Sequence, residues 1–145
     1  MASAFGHALA VVAIGSSFEK KITTWKFWLL GIFCAVLPDA DAIGFKLGVA
    51  YDSFWGHRGF THSLCFAVIT GIAITMIFFR KEATGQQRLK YVLFFTLCTA
   101  SHAVLDAMTS GGLGVAFFSP FTETRYFFPW RPIRVSPISV NLFFF

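Results

Sequence analysis

The chain is poor in charge. Of its 145 residues only 13% are charged, while 56% are hydrophobic and the mean hydropathy is +0.66. Soluble globular domains contain about 25% charged residues, so this composition argues against an ordinary soluble domain and favours a protein that has lipid as its solvent. The length is that of one domain, and we expect residues 1–145 to form a single integral-membrane unit.

Cysteine is scarce as well. Cys34, Cys65 and Cys98 each lie inside an apolar run, and no two of them have the C-x-x-C spacing. This pattern argues against a disulfide framework or a structural zinc knot and predicts three small, buried side chains. The N-terminus lacks a basic segment followed by a small-residue cleavage site, so we expect no removable signal peptide.

Several common functional motifs are absent. The formal charge of +5 suggests nucleic acid, but no basic stripe accompanies a nucleic-acid-binding motif, so no such partner is expected. There is no H-E-x-x-H of a metalloprotease and no G-x-S-x-G nucleophile elbow. A serine or cysteine nucleophile is therefore not expected.

The chain does contain four apolar segments, at residues 4–15, 25–37, 64–79 and 91–108. Pro38 should stop or kink the second segment at Leu37, and Thr61 or Ser63 can cap the third. A full span needs about 20 apolar residues, so we predict an all-α, polytopic membrane bundle of about four transmembrane or half-spanning helices. Residues 115–145 are rich in aromatic residues and proline and predict an irregular tail. Its end, residues 138–145, is equally compatible with a docked strand, a short helix or a frayed terminus.

Ionisable residues are not scattered along these segments. If the chain crosses the membrane back and forth, one face receives all four histidines and three carboxylates: His7, Asp39, Asp41, His57, His62, His102 and Asp106. The other face receives the basic connections, which contain Lys20, Lys21, Lys26, Arg80, Lys81, Arg88 and Lys90 against Glu19 and Glu82. The positive-inside rule makes the basic face cytoplasmic. We therefore expect the histidine and aspartate cluster on the periplasmic or exterior side.

Two pairs in this cluster have spacings that suit metal binding, although each has a simpler explanation. His102 and Asp106 are four residues apart and project from one helical face. They can share a metal, the carboxylate can orient the ring, or they can form a plain surface hydrogen bond. Asp39 and Asp41 turn toward one site only if the backbone after Pro38 is irregular. Otherwise they form a turn or a helix cap.

A third group lies around a glycine. Gly59 permits a tight bend that would bring the rings of His57 and His62 toward one centre. Arg58 between them can hold an anionic substrate, neutralise the acidic cluster or contact lipid phosphates. Ionisable groups inside a membrane are costly and usually functional, so the convergence of these residues favours a functional site over a structural one.

The donor atoms are nitrogen and oxygen without thiolate, which suits Zn²⁺, with Mn²⁺ or Fe²⁺ as alternatives. Seven candidate ligands exceed the three protein ligands of a typical catalytic zinc, so one or two ions fit. Two ions can activate water and clamp the attacking and leaving oxygens of a phosphoester. We expect Asp39 or Asp41 to accept the proton of that water or to bridge metals, and Arg58 to hold substrate charge.

The chain carries His7, Leu37-Pro38-Asp39-x-Asp41, His57-Arg58-Gly59-x-Thr61-His62-Ser63 and His102-x-x-x-Asp106, then Thr109-Ser110-Gly111-Gly112, Ser119-Pro120-Phe121, Arg125 and Pro129-Trp130-x-Pro132-Ile133. Together these motifs resemble the YdjM-like family of bacterial inner-membrane metal-dependent hydrolases. The resemblance covers most of the chain and implies a multi-pass protein of the bacterial inner membrane with a metal-dependent hydrolase activity. It does not give the substrate. We assign Arg125, with Arg58, to substrate binding.

A remoter similarity is to zinc-dependent phospholipase C, whose ligands also run His, Asp, His and then H-x-x-x-D along the chain. No histidine follows His102, so the later ligands of that enzyme's trinuclear site are absent and at most two metals are expected. The leading hypothesis is a membrane-embedded hydrolase in which a metal-activated water cleaves a phosphoester of a lipid or lipid-linked substrate. The alternatives are a metal-ion or proton transporter and a non-catalytic membrane protein with a structural metal.

Overall fold

The described part of the chain is built from helices. A computed structural model describes residues 4–20, 22–81 and 84–134, so the predicted segment 138–145 lies outside it. The α-helices are α1 (Ala4–Gly15), α2 (Trp25–Val36), α3 (Ile43–Lys46), α4 (Leu64–Phe78) and α5 (Gly85–Ala107), with 3-10 helices at Leu37–Ala42 and Phe60–His62. Within these ranges no β-strand forms, and isolated β-bridges join Thr109 to Ile133 and Val115 to Tyr126. The all-α prediction is confirmed.

Local sequence signals explain where the second and third apolar segments begin and end. The α-helix α2 gives way to a 3-10 helix at Leu37, as the position of Pro38 predicts. Before α4, the Ser63 hydroxyl accepts a hydrogen bond from the backbone N–H of Phe66 at 3.0 Å and caps the helix. Of the two caps considered from the sequence, Ser63 is therefore the one used.

The fourth helix is longer than predicted. The sequence places its start at residue 91, after a polar connection, but α5 begins at Gly85. Thr84 and Gln87 form a capping box, in which each side chain accepts from the backbone N–H of the other. This exchange satisfies donors of the first turn and allows the helix to start within the polar connection. The prediction of a loop up to Lys90 is therefore wrong.

Helices α4 and α5 pack closely through small residues. Ala67, Gly71 and Thr75 of α4 recur every four residues and are buried. A Cβ atom at Gly71 would lie 2.7 Å from the carbonyl oxygen of Val92 and 2.9 Å from the backbone nitrogen of Thr96. Only glycine allows the two backbones to approach this closely. Small residues at this spacing are typical of helix packing in membranes.

An aromatic core fills the bundle away from the histidines. Phe27 of α2 stacks on Phe94 of α5, with ring centroids 3.7 Å apart, and both side chains are fully buried. Cys34 and Cys98 are buried in this core, as predicted, whereas Cys65 is only partly buried. All three are free thiols.

The outward faces of the helices are apolar. Large exposed side chains include Leu9 and Val12 on α1, Leu29, Ile32 and Phe33 on α2, Val68, Ile69, Ile72, Met76 and Ile77 on α4, and Leu93 and Leu97 on α5. The stretch Trp25–Lys46 is long and apolar enough to cross a membrane, while Phe5–Gly15 and Leu64–Phe78 are shorter apolar helices. Such extensive apolar exposure suits contact with lipid or protein more than with water.

Basic connections and histidines lie at opposite ends of the bundle. At one end, Lys26 donates to the carbonyl of Phe78 at 2.7 Å and Lys90 pairs with Glu19. The α1–α2 and α4–α5 connections therefore meet there. The other end carries the four buried histidines. This separation agrees with the arrangement predicted from the alternating direction of the segments. Lys21 and Glu82, which belong to the predicted basic end, lie outside the described residues.

Candidate metal centre

Four side chains from three parts of the chain converge at the histidine end. Asp39 lies in the 3-10 helix after α2, His62 lies just before α4, and His102 and Asp106 lie in the last turns of α5. One ligand atom from each of the four lies within 4.8 Å of the other three. His102 and Asp106 are both fully buried, which excludes the simpler interpretation of this pair as a surface hydrogen bond.

The four ligand atoms face one another at short range. His102 Nε2 lies 3.2 Å from Asp39 Oδ1 and 3.9 Å from Asp106 Oδ2. His62 Nε2 lies 3.8 Å from Asp39 Oδ1 and 3.6 Å from Asp106 Oδ2. This nitrogen is buried and has no hydrogen-bond partner among the residues that the structure describes. A buried polar atom without a partner is costly, and here it points at two carboxylates.

The Nδ1 atoms of His102 and His62 point away from the ligand cluster and contact oxygen atoms. His102 Nδ1 lies 2.6 Å from the carbonyl oxygen of Ala35. Because a carbonyl only accepts, Nδ1 carries the proton, and a neutral ring then has its lone pair on Nε2. His62 Nδ1 lies 3.1 Å from the hydroxyl oxygen of Thr61, whose own proton goes to Asp41, and 3.2 Å from Asp41 Oδ2. Both oxygens accept from Nδ1, which sets the same tautomer. Both rings are therefore oriented as metal-binding histidines usually are.

Asp41, His57 and His62 form a second group beside the first. Asp41 Oδ1 accepts from His57 Nδ1 at 2.7 Å. Asp41 Oδ2 accepts from the Thr61 hydroxyl at 2.6 Å and from the backbone N–H of Arg58 at 3.3 Å. The sequence suggested Thr61 as a possible helix cap, but its hydroxyl donates a hydrogen bond to the Asp41 carboxylate instead.

The bend between the two histidines depends on glycine. A Cβ atom at Gly59 would lie 2.4 Å from the carbonyl oxygen of Phe54 and 2.8 Å from that of Gly56. The chain can fold back here only because Gly59 has no side chain. The ring centroids of His57 and His62 are consequently 5.3 Å apart, as expected from the sequence.

His7 lies behind the ligand cluster. Its ring stacks on that of His102, with centroids 4.0 Å apart and planes inclined by 10°. Neither ring nitrogen has a hydrogen-bond partner in the described part of the chain. His7 is thus brought to the site, as predicted, but it is not among the residues whose ligand atoms lie within 4.8 Å of one another.

Arg58 is buried in the protein, with 1% of its surface exposed. Its Nε donates to Asp106 Oδ2 at 3.1 Å, its Nη1 to the carbonyl of Gly111 at 2.7 Å, and its Nη2 to the Thr109 hydroxyl at 3.0 Å. Among the described residues it alone combines a side chain with a positive φ, of 65°. This arrangement favours a positioning role for Arg58, and its predicted contact with substrate stays a prediction.

Arg125 is used to hold a loop. Its guanidinium donates to the carbonyls of His57 at 2.9 Å, Tyr51 at 3.1 Å and Ser53 at 3.3 Å. It also lies 5.7 Å from the centroid of the Tyr51 ring. Arg125 therefore fixes the loop that presents His57. Its predicted role in substrate binding likewise stays a prediction.

The electrostatics of His62 are set by two carboxylates. Burial alone would lower the pKa of His62, but the negative charges of Asp106 and Asp41 close to its two nitrogens outweigh burial and raise the pKa to about 9. In the metal-free protein this ring is therefore protonated at neutral pH. A metal ion that binds Nε2 must displace that proton.

Sequence reasoning missed three partners of the site. The carbonyl of Ala35 orients His102, while the Thr109 hydroxyl and the Gly111 carbonyl hold Arg58. A backbone carbonyl has no signature in the sequence. Thr109 and Gly111 do stand in the Thr-Ser-Gly-Gly motif after α5, which was the available signal for this contact.

Comparison with known proteins identifies the family. The family model described as YdjM inner membrane protein matches residues 1–145. Inner membrane protein YbcI of Escherichia coli (strain K12) is 37% identical over 141 residues, which are 97% of this chain and 80% of that protein. No solved structure matches the chain. Since the family model covers the full length and the relative aligns with nearly all of it, the chain belongs to the YdjM inner membrane protein family.

Proposed function

We propose that this protein is a metal-dependent hydrolase of the bacterial inner membrane that cleaves a phosphoester of a lipid or lipid-linked substrate. The observation that carries the proposal is the buried, unpartnered Nε2 of His62, which lies 3.6 Å from Asp106 Oδ2 and 3.8 Å from Asp39 Oδ1. His102 Nε2 completes the group. Two oriented imidazoles between two carboxylates form a donor set for a divalent cation.

The residues present fit such an ion. Asp39, His62, His102 and Asp106 would hold it, and donors of nitrogen and oxygen favour Zn²⁺, with Mn²⁺ or Fe²⁺ as alternatives. Two ligands that are each about 2.0–2.2 Å from a tetrahedral ion lie roughly 3.3–3.6 Å apart. The four separations given above, from 3.2 to 3.9 Å, are close to that spacing.

A bound divalent cation supplies a Lewis acid that activates water and polarises a phosphoryl oxygen. The chain's own groups position the reaction. Ala35 and Asp41 fix the two rings, and the surrounding helices exclude bulk water. The Asp39 side chain is 14% exposed, whereas those of His62, His102 and Asp106 are fully buried. Asp39 therefore forms the open edge, where its carboxylate can accept a proton and pass it to solvent.

A phosphoester substrate is favoured by the order of the ligands along the chain. The ligand order of zinc-dependent phospholipase C maps onto His7, Asp39, His57 or His62, and the His102/Asp106 pair. Of these residues, Asp39, His62, His102 and Asp106 form the four-residue group. A lipid or lipid-linked substrate is favoured by the membrane family and by the apolar surface around the bundle.

We further propose a multi-pass arrangement with the site on the periplasmic side. Trp25–Lys46, which comprises α2, the 3-10 helix and α3, contains 22 residues and is long and apolar enough to cross a membrane. The small-residue packing of α4 on α5 and the apolar outer faces of the helices support crossings by the other helices. The basic end, which includes Lys26 and Lys90, would be cytoplasmic.

Metal analysis and a hydrolysis screen test the function. Protein purified in detergent should contain stoichiometric divalent metal, which His62→Ala and His102→Ala should lose, while the exposed control Glu123→Gln keeps it. The loaded protein should cleave a phosphoester from a panel of phospholipids and lipid-linked phosphates. Metal absent from the folded protein even after reconstitution would contradict the proposal.

The same preparation separates the alternatives. Bound metal without cleavage of any ester would favour a structural metal. Ion flux in proteoliposomes that Asp106→Asn abolishes would favour a transporter, because such a relay needs its ionisable groups for conduction.

A further inference from the structure

We propose that the site holds one metal ion, with Arg58 as the second positive centre beside it. In this arrangement Asp41 and His57 form an outer pair that positions His62 and binds no second ion. The inference rests on the metal-dependent function proposed above. It is carried by the contacts of Asp41, by the two nitrogens of His62 and by the charges buried at the site.

The spacing of Asp41 and His57 is that of a hydrogen bond. His57 Nδ1 lies 2.7 Å from Asp41 Oδ1, which is shorter than the roughly 3.3–3.6 Å between two ligands of a tetrahedral ion. The Thr61 hydroxyl and the Arg58 N–H occupy the other oxygen, Oδ2. A second ion would have to force apart the 2.7 Å contact of His57 with Asp41, whereas the separations within the Asp39, His62, His102 and Asp106 group, from 3.2 to 3.9 Å, are already close to those of ligands.

His62 cannot serve two ions as a neutral ring. Its Nε2 faces Asp39 and Asp106, and its Nδ1 faces Asp41. A neutral imidazole has one proton and one lone pair. Because both candidate groups need His62, two ions would require the ring to lose both protons. With one ion, Nδ1 keeps its proton, which faces the Thr61 hydroxyl oxygen and Asp41, and Nε2 binds the metal.

The buried charges also balance with one ion. Asp39, Asp41 and Asp106 contribute three negative charges, and the buried guanidinium of Arg58 contributes one positive charge through its bond to Asp106 Oδ2 at 3.1 Å. With neutral histidines the site carries a net charge of minus two, which one divalent ion neutralises. Unbalanced buried charge is strongly unfavourable. A second divalent ion would leave the site with two excess positive charges.

Metal titration followed by equilibrium dialysis tests the count. The wild-type protein should bind one Zn²⁺ per chain at saturation. His57→Gln and Asp41→Asn should keep one equivalent with an affinity about 10–100-fold weaker, as for other residues that orient a ligand, whereas His62→Ala should lose it. Two equivalents in the wild type, with one lost in His57→Gln, would overturn the inference.

X-ray absorption at the metal edge gives an independent readout. We expect two imidazole ligands in both the wild type and His57→Gln, without metal–metal scattering at the about 3.5–4 Å typical of two-metal sites. A third imidazole ligand that disappears in His57→Gln, or an observed metal–metal distance, would overturn this inference but leave the proposed function standing. A wild-type protein without bound metal would instead contradict the proposed function itself.

The increase in melting temperature on adding Zn²⁺ tests the role of Arg58. Arg58→Gln removes the guanidinium that offsets one carboxylate charge both with and without metal, so added Zn²⁺ should raise its melting temperature more than that of the wild type. Arg58→Lys keeps the charge and should respond as the wild type does. A smaller rise for Arg58→Gln would show that Arg58 only shapes the site, and would overturn its assignment as the second positive centre.

Discussion

At the scale of single residues, His62 is the group on which the site depends. Its ring joins Asp41 on one side to the ligand atoms of Asp39 and Asp106 on the other. Asp106 and Asp41 raise its pKa to about 9 against the effect of burial, so in the metal-free protein both nitrogens of this ring carry a proton at neutral pH. Metal and proton therefore compete for His62.

This competition predicts a pH-dependent affinity. We expect metal binding at pH 7 to release about one proton, and the affinity to rise with pH until the metal-free ring loses its own proton near its pKa of about 9. Above that pH the affinity should become independent of this group. Calorimetry in two buffers with different ionisation enthalpies measures the number of protons released.

A substitution provides the control for that measurement. Asp41→Asn removes one of the two carboxylates that raise the pKa of His62, so fewer protons should be released at pH 7 in this variant. Binding without any proton release from the wild type at pH 7 would show that His62 is neutral in the empty site, contrary to the prediction.

The sequence could predict which residues come together at the site, but not which of them are ligands and which orient a ligand. The alternation of apolar segments was enough to bring His62, His102 and Asp106 to one end, because the direction of each segment fixes the position of its ends. The sequence could not predict which of Asp39 and Asp41 lies among the ligand atoms and which orients a histidine. These two residues lie in a 3-10 helix, and only its backbone path decides which carboxylate faces the ligand cluster and which faces His57.

At the scale of helices, hydrophobicity predicts the middle of an element better than its ends. The starts of α1, α2 and α4 follow apolar runs or caps that can be read from the sequence. The start of α5 does not, because Arg88 and Lys90 look like part of a connection. The capping box of Thr84 and Gln87 stabilises the helix there, which adds turns at the basic end that hydropathy alone does not indicate.

The contact between α4 and α5 predicts a large effect of a small substitution. In Gly71→Ala the new methyl group would meet backbone atoms of Val92 and Thr96, which cannot move as a side chain does. Overpacking of this kind costs about 1–3 kcal/mol. We therefore expect a lower melting temperature in detergent, measured by circular dichroism.

Gly85 is the matched control for this contact. A Cβ atom there would meet nothing within 4 Å, and Gly85 begins α5. Gly85→Ala should leave the stability unchanged or increase it by about 0.4–1 kcal/mol, because alanine restricts the unfolded chain. Equal melting temperatures for Gly71→Ala and the wild type would contradict the close approach of α4 and α5.

At the scale of the whole molecule, ionisable side chains lie in the interior and apolar side chains lie on the outer surface. The interior holds four histidines and Arg58, and the outer surface of the long helices is apolar. Lipid would solvate that surface, while the bundle shields the ionisable groups from it. In the proposed multi-pass arrangement, the separation of the basic end from the site would give the molecule a definite orientation, since the positive-inside rule acts on the basic connections.

Cysteine labelling tests this orientation. Lys20 is exposed at the basic end, and Glu123 is exposed beside the loop that Arg125 holds near the site. In a Cys65→Ala background, which leaves the buried Cys34 and Cys98 as the native thiols, we introduce Lys20→Cys or Glu123→Cys. A membrane-impermeant maleimide added to cells with a permeabilised outer membrane should label Glu123→Cys.

Lys20→Cys should react only after the inner membrane is broken. The reverse pattern would place the site in the cytoplasm and would show that the basic connections do not set the topology. Labelling of both positions from outside would contradict the multi-pass arrangement. The expected pattern would restrict the substrate to molecules present at the outer leaflet of the inner membrane, because the open edge at Asp39 would then face that side.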